Sequence, residues 1–162
     1  VPPLKKILYP TDFSEPSFEA LKMAKELAQR FSAELYLLYV VSPFSAILAS
    51  EGAASPPGFL KYPETFDIGL FEKQQMGKAR KTLQDLIVKK GLQSLQVRPL
   101  VVLGNAAEEI VRLAGARKIG LIVIATHGRS GWKHLLFGSV TEKVIRLASC
   151  PVLTIRPPRK KP

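Results

Sequence analysis

"GLIVIATHGRSGWKHLLFGSVTEKVIRLASCPVLTIR", residues Gly120 to Arg156, is the stretch that decides the fold. It opens on "GLIVIA", Gly120 to Ala125, an almost wholly apolar run of strand length, and ends in a second apolar run, "PVLTIR", which Pro157 follows. Between them Val140, Val144, Leu147 and Ala148 recur at helical spacing and are expected to face inward. Apolar runs without alternation mark strands covered on both faces, and strand, helix, strand in that order is the unit of a parallel sheet.

The same alternation extends upstream. Lys6 to Tyr9, "KILY", reads as a strand ended by Pro10. A helix follows, with Ser14 as N-cap, Glu15 and Pro16 in the first turn, and Ala20, Leu21, Ala24, Leu27, Ala28 and Phe31 on its apolar face. Glu34 to Val41, "ELYLLYVV", is a second strand. Residues 42–69 lack any period and are rich in proline, so they read as an irregular insertion. Met76, Ala79, Leu83, Leu86 and Ile87 mark a helix ending near Gly91, and "LQVRPLVVL", Leu95 to Leu103, a third strand. Gly104 and Asn105 open another helix, with Ala106, Ile110, Leu113 and Ala114 on one face. The result is an α/β, doubly wound, five-stranded parallel sheet with right-handed crossovers and helices on both faces.

A chain of 162 residues with 46% hydrophobic and 23% charged residues suits one ordered domain, residues 1–156, followed by a basic tail, 157–162. No apolar run approaches a membrane span and "VPPLKKILYP" is no leader, so a cytoplasmic protein without membrane contact is expected. The single cysteine, Cys150, makes no internal disulfide and is expected to pack; no CxxC or Cys/His cluster offers a metal site. A formal charge of +11 favours phosphate-bearing partners. No zinc finger, KH loop or aromatic RNA-binding strand makes that partner a specific nucleic acid. Walker A, GxGxxG after the first strand, a phosphoacceptor aspartate after the third, paired carboxylates and a nucleophile triad are all missing, so no catalytic residue is named.

The loop after Ala125 carries the chemistry. Ligands of open α/β sheets bind beyond the carboxyl ends of the strands, where the strand order reverses. "SVTE", Ser139 to Glu142, matches a capping box with Ser139 as N-cap, leaving the amides of Val140 and Thr141 at the positive end of the helix dipole. Gly138 and Gly128 let the backbone approach an anion closely. A glycine turn with a capping serine would look the same without any ligand, and this pattern by itself leaves both readings open.

"ILYPTDFSEPSFEALKMAKELA" and "LIVIATHGRSGWKHLLFGSVTEKVIRLASCPVLTIR" together resemble the ATP-binding branch of the universal stress protein family. Its phosphate motif, Gly, two residues, Gly, nine residues, Gly, Ser or Thr, reads here Ala125, Gly128, Gly138, Ser139. The departure is Ala125 in place of the first glycine. The resemblance implies a Rossmann-like sheet of order 3-2-1-4-5, of the kind seen in adenine nucleotide alpha hydrolases. It places nucleotide between strands one and four. Pro10, Thr11, Asp12 and the Val40 backbone would surround adenine, Ile124, Ala125 and Gly128 the ribose and phosphate path, and Gly138, Ser139, Val140 and Thr141 the phosphates. Implied with it are ATP, ADP or AMP as ligand, Mg²⁺ or Mn²⁺ held through the phosphates, at most slow hydrolysis or self-phosphorylation, and a homodimer paired through strand 151–156 that contacts a further protein. Ala125 keeps open an alternative, a dimeric scaffold of this fold that has lost its nucleotide.

Overall fold

The computed structural model describes residues 4–52, 66–126 and 138–156. In chain order the elements are β1 (Lys6–Pro10), α1 (Glu15–Phe31), β2 (Glu34–Val41), α2 (Phe44–Gly52), α3 (Ile68–Lys89), β3 (Val97–Leu103), α4 (Ala106–Ala116), β4 (Leu121–Ala125), α5 (Ser139–Leu147) and β5 (Val152–Ile155). All strands are parallel in the order β3-β2-β1-β4-β5, as the alternation and the resemblance lead one to expect.

Strand periodicity divides the core in two. Ile7, Tyr9, Leu35, Leu37 and Val123 turn to the face covered by α1 and α3, while Leu8, Leu38, Ile122 and Ile124 turn to the face covered by α4 and α5. Both faces of β1, β2 and β4 are thus buried, which is why their sequences do not alternate. The edges differ. Leu35 donates to Gln96 O and Gly104 to Val41 O, so the even-numbered residues of β3 turn their backbone to β2 and Pro99 turns outward. Its missing N–H costs no ladder bond there, and it blunts that edge.

Four expectations about helices are corrected. The first concerns the insertion. Phe44–Gly52 is helical, and Ile68 and Gly69 already belong to α3, whose N-cap Asp67 accepts from Leu70 N at 2.9 Å. The α2 start is held from outside its own sequence. Phe44 N donates to Glu72 Oε1 at 2.8 Å, and the buried Phe44 ring stacks on Phe66 and meets Phe71 edge-on. A helix anchored by a carboxylate 28 residues away leaves no local period to read.

The second and third concern rotation and overhang. In α5, Thr141 and Val144 are buried whereas Val140 and Leu147 are 37% and 47% exposed. Thr141 Oγ1 donates to Ala125 O at 2.8 Å, and that bond sets the helix rotation by turning Thr141 inward and Val140 out. Phe31, at the last position of α1, is 55% exposed, because the chain turns away at Ser32, which adopts φ 49°. The fourth lies in α4, where the inward face begins at Ala107 rather than Ala106, with Ile110, Leu113 and Ala114 as expected.

Candidate functional site

A cavity of about 380 Å³ opens beyond the carboxyl ends of β1, β2 and β4, at the point where the strand order reverses. Each wall has a local cause. Pro10, Thr11 and Asp12 leave the end of β1 and form one side. Thr11 N still donates to Leu38 O at 2.9 Å, holding that segment against β2. Below it lies a buried hydroxyl chain: Tyr9 OH to Ser17 O at 2.9 Å, Tyr9 OH to Ser17 Oγ at 2.6 Å, and Thr11 Oγ1 to Ser17 Oγ at 2.7 Å. The phenol has one proton, and it goes to the Ser17 carbonyl. Ser17 therefore donates to the phenol oxygen and Thr11 donates to Ser17. Phe13 N donates to Thr11 Oγ1 at 3.0 Å, so the Thr11 hydroxyl meets the cavity as an acceptor. Burial pushes the Tyr9 phenol up to about 12, against the smaller opposite pull of its bonds to Ser17 and Thr11. Asp12 Oδ1 accepts from both Ser14 N (3.0 Å) and Ser14 Oγ (2.5 Å), which orients the carboxylate beside the N-terminus of α1.

The second wall is β2. Glu34 N donates to Lys5 O and Thr11 N to Leu38 O, so even-numbered residues of β2 turn their backbone toward β1. Pro10 pairs with Leu38 and ends β1. The N–H and C=O of Val40 thus lie past the last residue of the neighbouring strand, on the cavity wall, with no partner among the described residues. This one donor and one acceptor sit side by side on a rigid strand. Ala106 and Ile110 of α4 supply apolar surface opposite.

The third wall joins β4 to α5. Ile124, Ala125, Gly138, Ser139, Val140 and Thr141 all line the cavity. Gly138, not Ser139, is the N-cap, and no side chain caps the helix, so the expected capping box does not form. The chain is pinned one residue earlier: Gly138 N donates to Thr126 O at 2.7 Å, and with Thr141 anchored on Ala125 the helix begins at Ser139. As a result the amides of Ser139, Val140 and Thr141, the first turn of α5, have no acceptor among the described residues and carry the positive end of the helix. The Thr141 hydroxyl, 4% exposed, is committed to Ala125 O; what Thr141 presents outward is its amide.

Ala125 is the position where the phosphate motif departs. Its methyl packs in the α1-side core with Tyr9, Ala20 and Val123, on the face of the sheet opposite α5. The methyl and the α5 amides are therefore on different sides of β4.

Gly128 falls outside the described residues, as do His127, Arg129, Trp132, Lys133, His134, Phe137 and the tail 157–162. The other ten predicted site residues meet at one cavity. Ser17 and Tyr9 were not singled out by the sequence; their only signal is a serine three residues into a helix and a tyrosine in an apolar strand. Cys150 is half-buried beside Val152, and burial pushes its thiol up, away from the reactive thiolate. Among the described residues no group of three or more His, Cys, Asp or Glu could hold a metal ion, and no helix is long and apolar enough to cross a membrane.

The profile of the Universal stress protein family matches residues 3–156. The chain belongs to the universal stress protein family. It is 38% identical to Universal stress protein MJ0531 of Methanocaldococcus jannaschii over 97% of this chain and 85% of that protein. Universal stress protein MJ0577 of the same organism is 34% identical over 94% of each chain. The solved MJ0577 structure superposes with a TM-score of 0.78, covering 98% of this chain and 99% of that one at 28% identity. A universal stress protein from Archaeoglobus fulgidus, solved in complex with dAMP, shares the fold at 19% identity, with a TM-score of 0.56 over 93% and 96% of the two chains.

Proposed function

We propose that this universal stress protein is an adenine-nucleotide-binding regulatory module of the stress response, cytoplasmic and homodimeric, whose nucleotide state alters its contacts with a protein partner. One observation carries the reading: the Val40 backbone and the three amides opening α5, all without a partner among the described residues, face the same cavity at the switch point of the sheet. A donor beside an acceptor on a strand edge suits the N1 and N6 edge of adenine. The α5 amides suit phosphate. The cavity volume lies within the range of small-molecule sites, roughly 300–1,000 Å³. The Archaeoglobus protein in complex with dAMP adds that this fold accommodates an adenine nucleotide.

ATP is the ligand we favour, with ADP and AMP as lesser members of the same class. Asp12 is the only carboxylate lining the cavity among the described residues, so Mg²⁺ or Mn²⁺ would be held chiefly by the phosphates. No described group forms an activated nucleophile, which limits chemistry to slow hydrolysis or self-phosphorylation. The alternative, a scaffold that has lost nucleotide, drew on Ala125; its methyl lies away from the α5 amides and gives that alternative little support.

Dimerisation through residues 151–156 rests on the second edge of the sheet. Pro151 O and Ile155 O accept from Ile122 N and Thr126 N, so Val152 and Thr154 turn their N–H and C=O outward from β5, with no proline to blunt them.

The test is thermal unfolding of nucleotide-free protein with ATP, ADP, AMP and GTP, with and without Mg²⁺. A ligand at about 100 times its dissociation constant adds roughly 2.7 kcal/mol. An adenine-selective rise is expected. Equal rises with GTP, or none, would refute the reading.

A further inference from the structure

On the other face of the sheet a second cavity, of about 480 Å³, opens between β2, α2 and α3. It touches the first only along the end of β2, where Tyr39, Val40 and Ser42 border both. Its walls are apolar: the Phe13 and Tyr39 rings, Val41, Ile47 of α2, and Phe71 and Ala79 of α3. Apart from Ser42 at the end of β2, the polar side chains stand on α3, as Gln75, Lys78 and Thr82. Thr82 Oγ1 already donates to Lys78 O at 3.0 Å. That leaves the Gln75 amide and the Lys78 ammonium, one helical turn apart.

Two independent features mark this cavity as more than a packing gap. Phe13 adopts φ 61°, a left-handed conformation that bulky residues rarely take. The turn sends its ring flat against Tyr39, centroids 4.6 Å apart and planes inclined by 17°, and so makes an aromatic wall for the second cavity. Phe13 does not line the first cavity. Lys78 is the second feature. Its neighbours three and four residues away are Gln74, Gln75, Lys81 and Thr82, none acidic, and among the described residues it meets no carboxylate. A cation at the rim of an apolar chamber, beside an amide donor, complements a molecule with a hydrophobic body and one anionic end.

We infer that this cavity is a second ligand site, separate from the nucleotide site, for a small amphipathic anion: an aromatic or aliphatic body against Phe13, Tyr39, Ile47 and Phe71, and a single carboxylate or comparable anion at Lys78 and Gln75.

The probe is 1-anilinonaphthalene-8-sulfonate, titrated by fluorescence into the full chain without nucleotide. Saturable binding at one site is expected, displaced by decanoate but not by decanol and unaffected by ATP. Lys78→Glu should weaken it by about tenfold, the scale of one charge-assisted contact. Gln75→Trp, which fills the chamber from a half-buried position, should abolish it. Lys81→Glu makes the same charge change on α3 outside the lining and should leave it intact. Thermal melts confirm that each variant is folded. Displacement by ATP would put the dye in the nucleotide cavity, equal displacement by decanol would remove the anion from the proposal, and equal losses in Lys78→Glu and Lys81→Glu would reduce the effect to net charge. Any of the three results, or no saturable binding, overturns the assignment. Because the dye titration itself is run without nucleotide, its failure leaves the adenine reading untouched.

Discussion

Replacing Tyr9 by phenylalanine tests the hydroxyl chain beneath the candidate nucleotide site. The ring is 0% exposed, so Phe keeps the packing and removes only the oxygen. Ser17 O loses a donor at 2.9 Å and Ser17 Oγ a partner at 2.6 Å, while Ser17 Oγ keeps Thr11. Two buried hydrogen bonds lost with partial compensation cost about 1–3 kcal/mol at neutral pH. The pH dependence gives a sharper signature. The folded-state phenol lies above its unfolded value, at about 12 against 10.0, so its contribution is complete below pH 10.0 and is lost as pH rises toward 12. The loss amounts to about 1.4 kcal/mol at about pH 11 and roughly 2 kcal/mol at about pH 12. Urea unfolding of both proteins at about pH 8 and about pH 11 measures it: the advantage of the native protein over Tyr9→Phe should shrink by about 1.4 kcal/mol between the two. A difference that stays constant with pH would refute the claim that Tyr9 is buried as a neutral phenol. If Ser17 then relaxes and releases Thr11, ATP affinity should fall modestly as well.

The remaining predictions concern the walls and edges. Thr141→Val keeps the shape but strips the donor from the Ala125 carbonyl, and should cost about 1–3 kcal/mol in chemical denaturation, with Thr141→Ser close to the native protein. If the same bond also sets the rotation of α5, the valine variant should lose ATP affinity by calorimetry even where it is fully folded. Gly104→Ala should destabilise by about 1–3 kcal/mol, since φ is 156° there and a Cβ would come within 2.8 Å of Glu109 Cγ. If the chain pairs through β5 as proposed, Thr154→Pro, which removes an N–H that points away from β4, should lower the mass measured by light scattering while the melting temperature of the fold changes little; a dimeric mass unchanged by the substitution would refute pairing through β5.

Lowering pH probes the opposite end of the sheet. The hydrogen bond from Arg98 Nε at 2.6 Å, aided by Tyr36 OH, holds the Glu34 carboxyl below its ordinary value. Its contribution is therefore present above the unfolded pKa and is lost as pH falls through the folded one. Glu34→Gln should flatten that part of the acid unfolding curve.

What the sequence determined by itself was the part of the fold written in short-range patterns. Apolar runs without alternation specified strands covered on both faces, helical spacing specified α1, α3 and α4, and their order specified a parallel sheet with the loop after Ala125 at its carboxyl edge. Spaced residues were enough because each such element buries one face against the sheet, and that face must recur with the period of the backbone. Tertiary structure alone decided features whose cause lies far along the chain. Helix α2 depends on Glu72 and on aromatic partners beyond residue 65. The start and rotation of α5 depend on Thr126 and Ala125, 12 and 16 residues before the groups they bind, so a local capping signal at Ser139 misplaced the cap by one residue. The same holds for the site. Pro10 to Asp12, Val40 and the turn at Gly138 to Thr141 could be named from the resemblance, but that the Val40 backbone has no partner among the described residues, that Ser17 and Tyr9 support Thr11, and that the Ala125 methyl points away from α5 depend on where β1 stops against its neighbours, a matter of three-dimensional register that no local pattern encodes.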